Sequence, residues 1–226
     1  MIASHNTFSY LPVQKWWMKL LSPWHRCQNE GLIAQLANGV QYLDIRVRFT
    51  KEGKPVFVHN NITYNPFVTV NSSSNSFVPS LEYLLGKTKV YFIGMRSIIL
   101  NQSLRLNPSF PKKIPFRLIL DVRKVPKDYV RQRVLFNTLI KILQGEPYCN
   151  YLTLDEARIF WDWDDPIIKS KYEIKEIHTS VCSKWYQYLL GTKWFAKRHN
   201  PSTFQAEKED KTTVYLIDYV NIGTPK

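Results

Sequence analysis

The segment Leu43-Asp44-Ile45-Arg46-Val47-Arg48 constrains the fold more than any other part of the chain. It reads as a β-strand, and its period of two sets Asp44, Arg46 and Arg48 on one face against Leu43, Ile45 and Val47 on the other. A parallel strand covered on both faces normally reads as an unbroken apolar run. A charged stripe inside one leaves two arrangements: an edge strand with a solvated face, or a polar site enclosed by the sheet, as at the mouth of a barrel. The last apolar run, Val214-Tyr215-Leu216-Ile217-Asp218-Tyr219, repeats the pattern with one acid among apolar neighbours.

The surrounding pattern alternates strands with helical segments. A strand ends near Ser4-His5-Asn6, and residues 30–38 predict a short helix stopped by Gly39. Residues 42–49 and 56–59 predict two strands joined by a turn at Glu52-Gly53-Lys54-Pro55. Residues 80–85 read as helical and 117–123 as a strand. Residues 128–144 give the clearest helix, with Asp128 placed to cap it, Leu135, Leu139, Ile142 and Leu143 on one face, and Gly145 after it. Further strand or helix candidates fall at 153–160, 177–182 and 213–220; residues 90–111 fit no element and read as an insertion. The sum is an α/β chain with parallel pairing, expected as a single domain over 1–226.

Composition narrows the classes. With 226 residues, 44% hydrophobic and 22% charged, the chain is neither disordered nor fibrous. No apolar run approaches the ~18 residues of a membrane span, and no secretory signal precedes Ser4, so a cytoplasmic or membrane-peripheral location is expected. Cys27, Cys149 and Cys182 are too few for a disulfide framework and lack zinc spacing. The net charge of +13 fits a solvated surface, anionic lipid or nucleic acid. Without a zinc finger, basic zipper or aromatic RNA-binding signature, nucleic acid ranks last.

Two of the five histidines, His5 and His59, sit at apparent strand ends, where α/β barrels gather catalytic groups. A pair of imidazoles can serve as base and acid across one phosphodiester. Arg46 supplies a planar fork for the charge on phosphorus, with Asp44 on the same strand face to hold it. His25, His178 and His199 lack such a setting and read as surface or structural. Residues 13–26 mix Trp16, Trp17, Leu20, Leu21 and Trp24 with Lys15, Lys19 and Arg26. That composition suits shallow insertion into an anionic bilayer or packing over a barrel. Residues 184–199 lean towards core packing, and Trp161-Asp162-Trp163-Asp164-Asp165 reads as a loop or helix cap.

The order of these motifs resembles the X-domain of phosphatidylinositol-specific phospholipase C. The likeness rests on Ser4-His5-Asn6-Thr7-Phe8-Ser9-Tyr10, on Gly39-Val40-Gln41-Tyr42-Leu43-Asp44-Ile45-Arg46-Val47-Arg48, and on Gly53-Lys54-Pro55-Val56-Phe57-Val58-His59. It is weaker at Leu118-Ile119-Leu120-Asp121-Val122-Arg123 and returns at Tyr215-Leu216-Ile217-Asp218-Tyr219-Val220. The resemblance implies a distorted, partly open TIM-type (β/α) barrel with its site at the C-terminal strand ends. It implies His5 as general base, Asp218 as its orienting acid, and His59 as the acid that protonates the leaving oxygen. Arg46, held by Asp44, falls where calcium-dependent relatives carry a carboxylate, so no metal and no calcium are expected. Asn6 and Arg123 fall at substrate-contacting positions. The implied partner is a phospholipid at a membrane surface, acted on by a monomer. Two rivals are a metal-dependent glycerophosphodiester phosphodiesterase, against which His5-Asn6-Thr7 and Arg46 speak, and an idle barrel that binds phosphoinositide, which has no use for an acid–base pair.

Overall fold

A computed structural model describes residues 1–53, 55–64, 114–145, 152–160, 168, 170–177, 190–210 and 212–223. Its strands are β1 (Ile2–Ser4), β2 (Tyr42–Phe49), β3 (Pro55–His59), β4 (Ile62–Tyr64), β5 (Ile114–Asp121), β6 (Leu152–Phe160), β7 (Glu173–Glu176) and β8 (Thr213–Ile217). Its helices are α1 (Ser22–His25), α2 (Leu32–Ala37), α3 (Tyr129–Gly145) and α4 (Thr192–Glu209), with 3-10 turns at Trp16–Lys19 and Pro126–Asp128.

Strand β2 is the hub. Leu43 pairs with both Ser4 and Phe116, and Val47 with both Phe57 and Leu120. So β5 runs along one edge of β2, while β1 and β3 share the other. Strands β6, β5, β2, β1, β8 and β7 are mutually parallel in that order. The β2–β3–β4 pairs are antiparallel, because the turn with Gly53 at φ +79° is too short for a parallel crossover.

The sheet curls. Strands β5 and β7 lie four strand spacings apart, roughly 19 Å on a flat sheet at about 4.8 Å per step. Yet Arg117 of β5 reaches Glu176 of β7 at 2.6 Å, and Arg158 of β6 comes within 3.7 Å of the same oxygen. Only a curled half-barrel brings those side chains together. Among the described residues β6 and β7 do not pair, so a closed ring is not what these strands make.

All eight residues of β2 are buried, which resolves the charged stripe: it is an interior face, not a solvated edge. Outside the curl, α3 packs on β2, β5 and β6 through Leu135, Phe136, Leu139, Ile140 and Leu143. Its buried Gln132 both donates to and accepts from the Phe49 backbone, closing the end of β2. Asp128 sits in the preceding turn and accepts from the side chains of Arg131 and Gln132. Helix α2 is shorter than the predicted 30–38, and Gly39 after it adopts φ +88°. Of the strand or helix candidate at 177–182 only Ile177 is described, in a turn directly after the strand Glu173–Glu176; the rest lies outside the described residues. Within 184–199 the described part opens helix α4, where Phe195 is buried. The predicted helix at 80–85, the insertion at 90–111 and the acidic stretch 161–165 lie outside the described residues.

Candidate active site

The register explains how two distant histidines meet. Strand β1 climbs one edge of β2 and stops at Ser4, opposite Leu43; β3 descends the same edge, with Val47 opposite Phe57. Continuing either register sets His5 level with Asp44 and His59 level with Ile45. The two chain ends therefore converge, and the imidazole rings face each other edge to face with centroids 5.4 Å apart. Asp218 arrives on the third side, directly after β8, whose Ile217 carbonyl accepts from the His5 backbone N–H.

Backbone strain marks the same three places. The described non-glycine residues with positive φ are Asn6 (48°), Asn60 (54°) and Tyr219 (48°), and each directly follows His5, His59 or Asp218. Asparagine tolerates this region, but a tyrosine held there is uncommon and needs support. Helix α4 provides it: Asn200 Nδ2 donates to the carbonyls of Asp218, Tyr219 and Ile222 at 2.7–3.1 Å.

Hydrogen bonds fix the state of His5. Nδ1 lies 2.7 Å from Asp218 Oδ1, and Nε2 lies 2.8 Å from Arg46 Nη2. A guanidinium only donates. Nε2 is thus the acceptor, and the ring proton sits on Nδ1 facing Asp218. Arg46 is held in turn by Asp44 Oδ2 at 3.1 Å and Glu176 Oε1 at 3.3 Å. Asp44 also accepts from the Asn6 backbone N–H and, through Oδ1, from Arg117 Nε at 2.6 Å. Burial alone would raise the Asp44 carboxyl, but Arg117, Arg46 and His5 together hold it well below the usual carboxylate range. Glu176 behaves alike: burial opposes ionisation, and Arg46 and Arg117 bring it down to about 2. The result is a buried lattice of fixed charges under His5.

His59 has a different environment. Its Nδ1 lies 2.7 Å from the His25 carbonyl and 3.5 Å from Cys27 Sγ. Burial first, then His5 and Arg46, push it down to about 3, so the ring is neutral at pH 7. Asn6 Nδ2 donates to the carbonyl of Val58, next to His59, and so ties the two chain ends together. Burial raises the Cys27 thiol well above its ordinary value, leaving it protonated. Gln28 Nε2 donates to the carbonyls of His5 and Ile217, locking the Cys27 segment against the tips of β1 and β8.

Of the residues singled out from sequence, His5, Asn6, Asp44, Arg46, His59 and Asp218 meet in this one cluster. Arg123 does not join it. It pairs with Asp121 through Nε at 3.0 Å and lies 4.0 Å over the Phe160 ring, at the far end of β5. The arginine that enters from β5 is Arg117, which is 1% exposed. Sequence reasoning also missed Glu176, Cys27, Gln28 and His25, whose ring stands 5.8 Å from that of His59. Period two carried a signal for Arg117, a lone charge in an apolar strand. No pattern marked the other four.

Beside the cluster, Trp16 is 77% exposed and Leu20 69%, while Trp17 and Trp24 are exposed at 39% and 41%. Leu21 differs from the expectation for it: it is partly buried against the main core, as Met18 is fully. No helix among the described residues is long and apolar enough to cross a membrane.

No protein-family model matches the sequence, and no curated protein matches it. Solved structures do. The phosphatidylinositol-specific phospholipase C from Listeria monocytogenes superposes with a TM-score of 0.52 at 15% identity, over 97% of this chain and 87% of that one. The H258Y mutant of the phosphatidylinositol-specific phospholipase C from Staphylococcus aureus gives 0.50 at 12% identity, over 97% and 84%. At such identities the likeness is one of fold: the chain has a phospholipase C-like partial barrel.

Proposed function

We propose that the protein is a metal-independent phosphodiesterase of the phospholipase C type, which cleaves phosphatidylinositol or a related phosphodiester. The observation that carries the reading is the facing His5–His59 pair with Arg46 between Asp44 and His5 Nε2. Nε2 of His5 takes the proton of a hydroxyl neighbouring the phosphate, and Asp218 stabilises the imidazolium that forms. Arg46 turns from Nε2 to the phosphate oxygens and offsets charge growing on phosphorus. His59 gains a proton once the anion is bound, because the phosphate opposes the positive surroundings that depress it, and gives that proton to the leaving oxygen. Attack is intramolecular, so orientation lowers much of the barrier and a cyclic phosphodiester forms first.

Asn6 holds the two tips together and stands close to the phosphate. Arg123, paired with Asp121, is assigned at most an outer contact with the headgroup. The exposed Trp16, Trp17, Leu20 and Trp24, with Lys15 and Lys19, seat the monomeric enzyme on an anionic membrane, with Leu21 packed inward as their anchor. Nucleic acid has no part in this reading.

The test is to give the purified protein phosphatidylinositol vesicles with and without EDTA and follow products by phosphorus NMR. Equal appearance of inositol cyclic phosphate in both arms is expected. Turnover lost to EDTA would replace this reading with a metal-dependent phosphodiesterase. Vesicle binding without any turnover would replace it with an idle phosphoinositide-binding barrel.

A further inference from the structure

The histidine pair has a third neighbour that the proposed reaction does not use. Cys27 enters from the segment between α1 and α2, fully buried, and one donor atom each from His5, Cys27 and His59 lies within 4.8 Å of the others. The Cys27 Sγ to His59 Nδ1 distance is 3.5 Å. A tetrahedral zinc with Zn–S of about 2.3 Å and Zn–N of about 2.0 Å separates its sulfur and nitrogen donors by roughly 3.5 Å. The edge of a zinc tetrahedron is therefore already built into this wall.

We propose that His5, Cys27 and His59 form a three-ligand site for a soft divalent transition metal, zinc foremost, and that a metal bound there switches the active site off. The inhibitory half rests on the proposed phosphodiesterase; the binding half does not. Thiolate and imidazole donors select zinc or cobalt over calcium and magnesium. His5 coordinates through Nε2, and Asp218 on its Nδ1 is the carboxylate partner that commonly orients a metal-bound histidine. Arg46 leaves Nε2 for its two carboxylates, Asp44 and Glu176. His59 releases the His25 carbonyl, shifts its proton to Nε2 and binds through Nδ1. The Cys27 thiol proton passes to solvent as the S–metal bond forms. Counted together, Asp44, Asp218, Glu156 and Glu176 exceed Arg46, Arg117 and Arg158 by one negative charge, which the dication with a thiolate brings to zero. The fourth position stays open to water. With its Nε2 lone pair on the metal, His5 cannot take a proton, and His59, ligated through Nδ1, cannot become the imidazolium that would give one up.

The experiment titrates the full-length, EDTA-treated protein with Co²⁺, whose thiolate charge-transfer band and intense tetrahedral visible bands report this ligand set without reference to turnover. Wild type should show both at one equivalent and lose them to added Zn²⁺ but not to Ca²⁺. Cys27→Ser should lose the charge-transfer band and bind Zn²⁺ at least about tenfold more weakly. Cys27→Ala and His59→Asn, each checked by circular dichroism, guard against a misfolded variant. Absence of the bands, or their survival in Cys27→Ser, overturns the site. In the turnover assay, Zn²⁺ at saturation should abolish cyclic phosphate production in wild type but not, at the same concentration, in Cys27→Ser relative to its own metal-free rate. Full activity with the cobalt site filled would overturn the inhibitory half alone. If no preparation turns over phosphatidylinositol, the phosphodiesterase reading fails while the spectra still decide the site.

Discussion

Two charged clusters line the inner face of β2, and they differ in a way that separates chemistry from structure. Around Asp44 and Arg46, carboxylates and guanidiniums surround an imidazole whose Nε2 lone pair accepts from Arg46 within the group. Two rungs further along, Arg48 donates to the carbonyls of Asp121 and Asn60, and Asp121 is clasped by Arg123. The second cluster has the same residue types, similar burial and no histidine. It ties strand ends together. Buried charge inside a curled sheet is thus not itself a sign of a site; an imidazole lone pair held in that charge is.

The contrast breaks first on turnover. His5→Ala and His59→Ala should each lower kcat by about 10²–10⁴, with circular dichroism unchanged, while Arg123→Ala should change kcat less than about tenfold. A large loss in Arg123→Ala and a small one in His59→Ala would invert the comparison. Arg117→Met comes next. It removes the strongest clamp on Asp44, and uncovering one member of a buried charge group costs about 3–5 kcal/mol. Chemical denaturation should show that loss, against a smaller one for Arg123→Ala, whose partner Asp121 keeps Arg48.

Acid stability sharpens the same point. His59 has a folded-state pKa near 3, below its ordinary value of 6.5, so on acidification the unfolded chain binds a proton that the native state refuses. Stability should therefore fall as pH drops from about 6.5 towards 3, a window that opens above the one where Asp44 and Glu176 begin to protonate. His59→Asn should flatten the slope between pH 6.5 and 5; an unchanged slope there would assign the effect elsewhere. The smallest effect concerns the surface. Trp16→Ala with Trp24→Ala should weaken binding to anionic vesicles about tenfold, and leave turnover of a soluble phosphodiester intact.

Much of this site could be read before the fold was seen, for local reasons. Asp44 and Arg46 show themselves by period two in an otherwise apolar strand, and His5 and His59 by ending such runs. Glu176 does not, because Glu173-Ile174-Lys175-Glu176 has the alternation of a solvated strand, and only the curl turns it inward. Cys27 and Gln28 lie in an irregular segment, and their position depends on Ser9 Oγ, which accepts from both backbone N–H groups. Arg123 was displaced by where β5 ends: the strand stops at Asp121, so the side chain two residues on folds back to its own acid instead of continuing the inner face. The curl of the sheet is the least local property of all, set by pairings between opposite ends of the chain.

The division of labour between the two imidazoles is tested most directly by changing the leaving group. Initial rates of wild type, His5→Ala and His59→Ala would be compared on phosphatidylinositol and on an inositol phosphodiester of p-nitrophenol, whose oxygen departs without a proton. The account predicts that His59→Ala recovers most of its lost rate on the nitrophenyl substrate, whereas His5→Ala stays as impaired as before. Equal impairment of both variants on both substrates would contradict it.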